Sequence, residues 1–159
     1  MLDTLRDFVR QLGLADETER HLSPNDTRLA VAALLVRCMV IDGSVSDVER
    51  AKLRELLLRH FTLSDTDLDT LITDATEAEH EAVDLYRFTS VLKQQLPEEE
   101  RIDVIEYLWE IVYADGKCDE FEENLVWRVA ELLGVSGRDR IAKKLAVAEN
   151  KSGKPDDPG

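Results

Sequence analysis

The chain reads as an all-α protein, and three features carry that reading. Apolar residues recur at three- and four-residue intervals along most of its length. Serine, aspartate, proline and glycine stand where helices start and stop. No segment sustains the alternation of a β-strand, and only four prolines and seven glycines interrupt 159 residues, 43% of them hydrophobic. The expected architecture is a single domain of about eight helices and no sheet, with an internal pseudo-two-fold repeat of helix-loop-helix units. A chain of this length buries about two-thirds of its unfolded surface, enough to fold without a disulfide or a structural metal. Any metal it binds is therefore expected to be functional.

Each helix has its own signal. Leu2, Leu5, Phe8, Val9 and Leu12 share one helical face, and Gly13 follows as a stop. In "SPND", Ser23 reads as an N-cap and Pro24 as a first helical residue, opening a helix that runs to about Ile41. Leu53, Leu56, Leu57 and Phe61 make the stripe of a third helix. Ser64 caps the next, over "LSDTDLDTLI", and Asp84 is the candidate cap for "DLYRFTSVLKQQL". Pro97 then opens a helix carrying Val104, Leu108, Ile111 and Val112 on one face. Phe121, Leu125, Val129 and Leu132 continue the pattern in another, and a last helix from about Ser136 or Arg138 ends near Asn150. Trp109 and Trp127 both read as core residues. Residues 1–149 form the helical domain, and residues 150–159, with "KSGKPDDPG", are expected to be a disordered tail.

Charge narrows the function. With 34 acidic and 20 basic residues, net −14, and no Lys/Arg stripe, nucleic acid is not an expected partner. Cations and basic protein surfaces fit better. No apolar run reaches the roughly 18 residues of a membrane span, and the N-terminus, with acids inside it, does not read as a signal peptide. A soluble, cytoplasmic location is expected. Between His60 and Tyr86 stand eight acids (Asp65, Asp67, Asp69, Asp74, Glu77, Glu79, Glu81, Asp84) without a Lys or Arg, either a solvated face or a docking surface for a basic partner protein. Cys38 and Cys118 lie far apart with no C-x-x-C; Cys38 reads as core and Cys118 as part of a loop.

One phrase is written twice. "VIDGSVSDVER" at residues 40–50 is echoed by "YADGKCDEFEE" at 113–123: an apolar run, an Asp-Gly pair, and a Glu seven positions after the Asp. The flanking apolar helices also correspond, so a helix-loop-helix has been duplicated. Two readings of the acids stand side by side. Ser46 with Glu49, and Asp119 with Glu122, have capping-box spacing, and Asp-Gly is an ordinary helix stop. Alternatively, Asp42 with Glu49 and Asp115 with Glu122 offer carboxylates at each loop mouth to a hard divalent cation, in one shared site or two. Asp47, Asp119 and Glu120 are the supporting acids, whose like-charge crowding a cation would relieve.

Other chemistries find less footing. An EF-hand places its Gly in mid-loop with acids before it, whereas Gly43 and Gly116 directly follow the first Asp. A di-iron bundle needs two E-x-x-H motifs, and only Glu77 to His80 supplies one. His80 therefore reads as a solvent-facing residue. There is no H-E-x-x-H, G-x-S-x-G, P-loop or G-x-G-x-x-G, so the chain is not read as an enzyme.

The phrases "VIDGSVSDVE", "DLYRFTSVL" and "EERIDVIEYLWEIVYADGKCDEFEENLVWRVAELLGVS" resemble the tellurite-resistance protein TerB family, in particular its small stand-alone bacterial members, over residues 29–146. The most specific element is the L-W-x-x-x-x-A-D-G-x-x-x-x-x-E run from Leu108 to Glu122. The resemblance implies an all-helical fold with internal pseudo-symmetry and an acidic site for a divalent metal, with Asp42, Glu49, Asp115 and Glu122 as ligands. Ca²⁺, Mg²⁺ and Mn²⁺ all suit such oxygens. It also implies a link to tellurite resistance and stress response, as an interaction module near membrane-associated partners. Lys117, in the second loop alone, sets the two copies apart.

Overall fold

The computed structural model describes residues 26–41, 43–116 and 118–153. Among them are seven α-helices, one 3-10 turn and no strand. The helices are α1 (Thr27–Val40), α2 (Asp47–His60), α3 (Asp65–Glu81), α4 (Tyr86–Gln95), α5 (Glu98–Val112), α6 (Glu120–Leu133) and α7 (Gly137–Gly153), with the 3-10 turn Tyr113–Asp115 closing α5. The expected first helix, the Ser23 cap and Pro24 lie outside the described residues. Of the tail expected from residue 150, residues 150–153 continue α7, and residues 154–159 lie outside the described residues.

The all-α expectation holds, and α1 shows why the domain is built as it is. Residues Leu29 to Val36 are buried without a break, followed by Cys38 and Met39. A helix apolar on every side is stable only when surrounded, so it becomes the centre of the bundle. Helices α3, α4 and α5 pack around it. Helix α5 is the second spine, buried through Val104, Ile105, Leu108, Trp109, Ile111 and Val112. The repeat is visible in the packing: α3 lies on α1 as α7 lies on α5, while α2 reaches across to α5 and α6 to α1. Each repeat is thus a three-helix unit, and α4 sits between them against α1 and α6.

Local chemistry sets most boundaries. Asp26 caps α1 by accepting the Arg28 N–H at 2.8 Å. Ser64 caps α3 through the Asp67 N–H at 3.1 Å, as its position predicted. Asp84 accepts the N–H of Tyr86 at 2.9 Å, but the N-cap position belongs to Leu85, one residue later than expected. Pro97 is the N-cap residue of α5 rather than its first helical residue. Gly134, at φ +73°, ends α6 in the left-handed conformation, where Arg101 Nη1 donates to the Leu133 carbonyl at 2.6 Å.

Two core expectations need correction. Trp109 is 1% exposed and its Nε1–H donates to the Arg140 carbonyl at 3.1 Å, tying α5 to α7. Trp127 instead stands on the surface, 49% exposed. Helix α6 keeps the middle of its expected stripe and departs at both ends. Leu125 and Val129 are buried as expected, with Val126 and Leu133, while Phe121 is exposed and Leu132 only half-buried. At each end the buried position is the next residue along, Glu122 and Leu133.

Candidate functional site at the paired loops

Both loops use the same backbone device. Gly43 and Gly116 each sit at φ +85°, and each donates its N–H at 3.0 Å to a carbonyl three residues back, Val40 and Tyr113 respectively. A Cβ at either position would meet nothing within 4 Å. Glycine is therefore favoured by the sign of φ alone. Asp42 and Lys117, the two residues flanking these glycines on opposite sides, lie outside the described residues.

After each loop the chain closes a capping box. Ser46 Oγ accepts the Glu49 N–H at 3.1 Å, and Glu49 Oε1 accepts the Ser46 N–H at 2.9 Å and its hydroxyl at 3.2 Å. Asp119 Oδ1 accepts the Glu122 N–H at 2.8 Å, and Glu122 Oε1 accepts the Asp119 N–H at 3.2 Å. The capping geometry foreseen from the spacing is present in both copies.

The phase of the helices is less ordinary. Val48 is 53% exposed and its neighbour Glu49 only 3%; Phe121 is 64% exposed and its neighbour Glu122 only 4%. Rolling either helix by one residue, about 100°, would bury the hydrophobe and release the carboxylate, but it would also turn out the residues that pack the core, Leu53, Leu56 and Leu57 in α2 and Leu125, Val129 and Leu133 in α6. Core packing holds the phase, and both Glu side chains are carried inward with it.

The two buried carboxylates also share a neighbour. Cys38 on α1 is fully buried, its Sγ 3.8 Å from the Leu108 carbonyl. Burial pushes this thiol well above its ordinary range, and the charges of Glu122 and Glu49, with Cys118 and Asp119, push it the same way. Acids of both loops therefore lie within electrostatic reach of one atom of the central helix, and α2 packs directly against the 3-10 turn of the second loop. The sequence marked Cys38 only as core. That charges of both loops reach it needed the packing.

The other predicted acids are placed differently. Asp115 ends the 3-10 turn and is exposed. Asp47 is fully exposed and pairs with Arg50 at 3.1 Å, away from the cap. Glu120 is exposed, and Asp119 is taken up as the α6 cap. Among the described residues, no three His, Cys, Asp or Glu side chains are grouped so as to hold a metal ion. The fit to a hard cation rests on the donor chemistry. Glu49 makes its hydrogen bonds through Oε1 and has no Lys or Arg partner among the described residues. A buried carboxylate without a compensating charge is costly, and a second carboxylate oxygen remains available to accept.

The acidic stretch on α3 is partly neutralised by its neighbours. Arg37 reaches Glu79 and Arg54 reaches Asp69, each at 2.8 Å. His80 is exposed, as expected. No helix among the described residues is long and apolar enough to cross a membrane.

Compared with protein families, residues 28–145 match the model described as "Tellurite resistance protein TerB", well over half of the chain. Compared with curated proteins and with solved structures, the chain has no significant match in either.

Proposed function

Because this chain belongs to the tellurite resistance protein TerB family, we propose that it is a non-enzymatic cytoplasmic protein that binds a divalent cation through its paired Asp-Gly/Glu loops. The observation that carries this reading is the burial shared by both repeats: Glu49 and Glu122, at matching positions, are 3% and 4% exposed. Two buried carboxylates near one thiol, in a low-dielectric setting, repel each other and favour a bound positive charge. Glu49 and Glu122 would hold the cation with Asp42 and Asp115, and hard oxygens point to Ca²⁺, Mg²⁺ or Mn²⁺. The bound ion supplies charge neutralisation between the two repeats, and the chain's residues supply the ligands. The link to tellurite resistance or stress response, and a basic protein partner on the acidic face of α3, belong to the same proposal.

The second reading is that the acids only cap helices, and the two closed capping boxes favour it. Under that reading the protein is a metal-independent interaction module. Isothermal titration of chelator-treated protein with each cation, at physiological salt, separates the two. Saturable heat that vanishes in Asp42→Asn/Asp115→Asn supports the cation site, and its stoichiometry distinguishes one shared site from two. No heat at millimolar cation leaves capping as the role of the acids.

A further inference from the structure

A groove opens beside the loops where the α3–α4 connection meets α6. Ile41, Val83, Leu85 and Phe121 form its apolar part, Arg37 and Arg128 stand at its polar edge, and its volume is about 340 Å³. That is the scale of a cleft that accepts one or two side chains of a ligand. Val83 is 95% exposed and Phe121 64%, an unusual concentration of bare apolar surface beside one cleft of so charged a chain.

The charges around the groove differ from those of the chain as a whole. Arg37 is held by Glu79 at 2.8 Å, and Asp84, also on the rim, is engaged by the Tyr86 N–H. Arg128 is exposed and has no carboxylate partner among the described residues. Helix α4 starts at the groove edge, where the Asp84 carboxylate already takes the N–H of its first residue, Tyr86. An anionic group thus finds one open guanidinium here, that of Arg128, on a chain whose net charge of −14 repels it elsewhere.

We propose that this groove docks a short acidic, amphipathic segment of a partner protein, which seats a bulky apolar side chain against Val83 and Phe121 and sets a carboxylate on Arg128. A flat anionic membrane does not match a concave cleft with one open arginine. A polypeptide does, because alternate apolar and acidic side chains meet the two kinds of surface together. This surface is distinct from the acidic face of α3, and it selects partners of the opposite charge.

Two-dimensional amide NMR of the full chain tests the docking, with three 12-residue helix-favouring peptides as probes. All carry the same leucine pattern, with Glu, Gln or Lys at the polar positions. The Glu peptide is expected to shift the Val83, Phe121 and Arg128 amides saturably, about tenfold more tightly than the Gln peptide. Arg128→Glu should invert the order in favour of the Lys peptide, and Val83→Ser should weaken all three. Both positions are exposed, and the spectra themselves report that the variants fold. The proposal is overturned if the Glu peptide gives no saturable shift at the groove, if the three peptides bind alike, or if the shifts map to α3. It is equally overturned if the groove amides move on dilution of the protein alone, which would make a second copy the occupant.

Discussion

In the first loop the following helix is capped by a serine, and in the second by an aspartate. Ser46 offers Glu49 two donors, its N–H at 2.9 Å and its hydroxyl at 3.2 Å. Asp119 offers Glu122 its N–H at 3.2 Å, and its own side chain is a carboxylate with no proton to give. The same backbone plan therefore stabilises a buried Glu in one repeat and sets a second negative charge three residues away from it in the other. The second loop also has Asp115 exposed at its mouth. If a cation serves the loops, the second gains more from it than the first.

The largest expected effect follows from that inequality. At a cation concentration about 100 times the dissociation constant, binding stabilises the fold by about 2.7 kcal/mol. Thermal melting with and without chelator should show this increment in the parent protein and its loss in Asp42→Asn/Asp115→Asn. Glu122→Gln should remove more of it than Glu49→Gln, and equal losses would show that the cap residue does not tune the site.

Next in size is the backbone. Gly43→Ala and Gly116→Ala each place a Cβ in empty space but at positive φ, so each should destabilise by about 1–2 kcal/mol. Denaturant titration should give nearly the same value for both. A clear difference would mean that the loops are less alike than their φ values.

Exchanging the caps sharpens the comparison further. Asp119→Ser should raise metal-free stability by roughly 0.5 kcal/mol, the scale of removing one like-charge neighbour, while reducing the response to cation. Ser46→Asp should do the reverse. Truncation at either cap, Ser46→Ala or Asp119→Ala, should cost about 1 kcal/mol with or without metal.

The smallest effect is chemical. Burial raises the Cys38 thiol and closes it off, and burial followed by the charge of Glu123 raises Cys118, which stays half-exposed. Alkylation requires the thiolate, so both should react more slowly than a free thiol, and both should speed up as pH rises. Mass spectrometry of the iodoacetamide-treated native protein should find Cys118 modified first at every pH. Early modification at Cys38 would place it outside the core.

Much of this was legible in the residues themselves. Ser46, Ser64 and Asp119 cap where their spacing says they do, because a cap is decided by groups within three residues of it. Less legible was the start of α4, where Asp84 and Leu85 compete for one role and the N–H of Tyr86 satisfies the first from outside the cap position. Phe121, Val48 and Trp127 were misleading or silent. Their hydrophobicity speaks for burial, and each stands in water.

The sequence by itself determined the helices, their stops at two left-handed glycines, the duplication and the family, since each depends on contacts a few residues long. The stripes Leu53, Leu56, Leu57 and Leu125, Val129 already marked the inward faces of α2 and α6. Only the tertiary structure decided how far along those faces burial extends, and so that Glu49 and Glu122 are buried, because that depends on packing against helices remote in the chain, whose volume no local pattern contains.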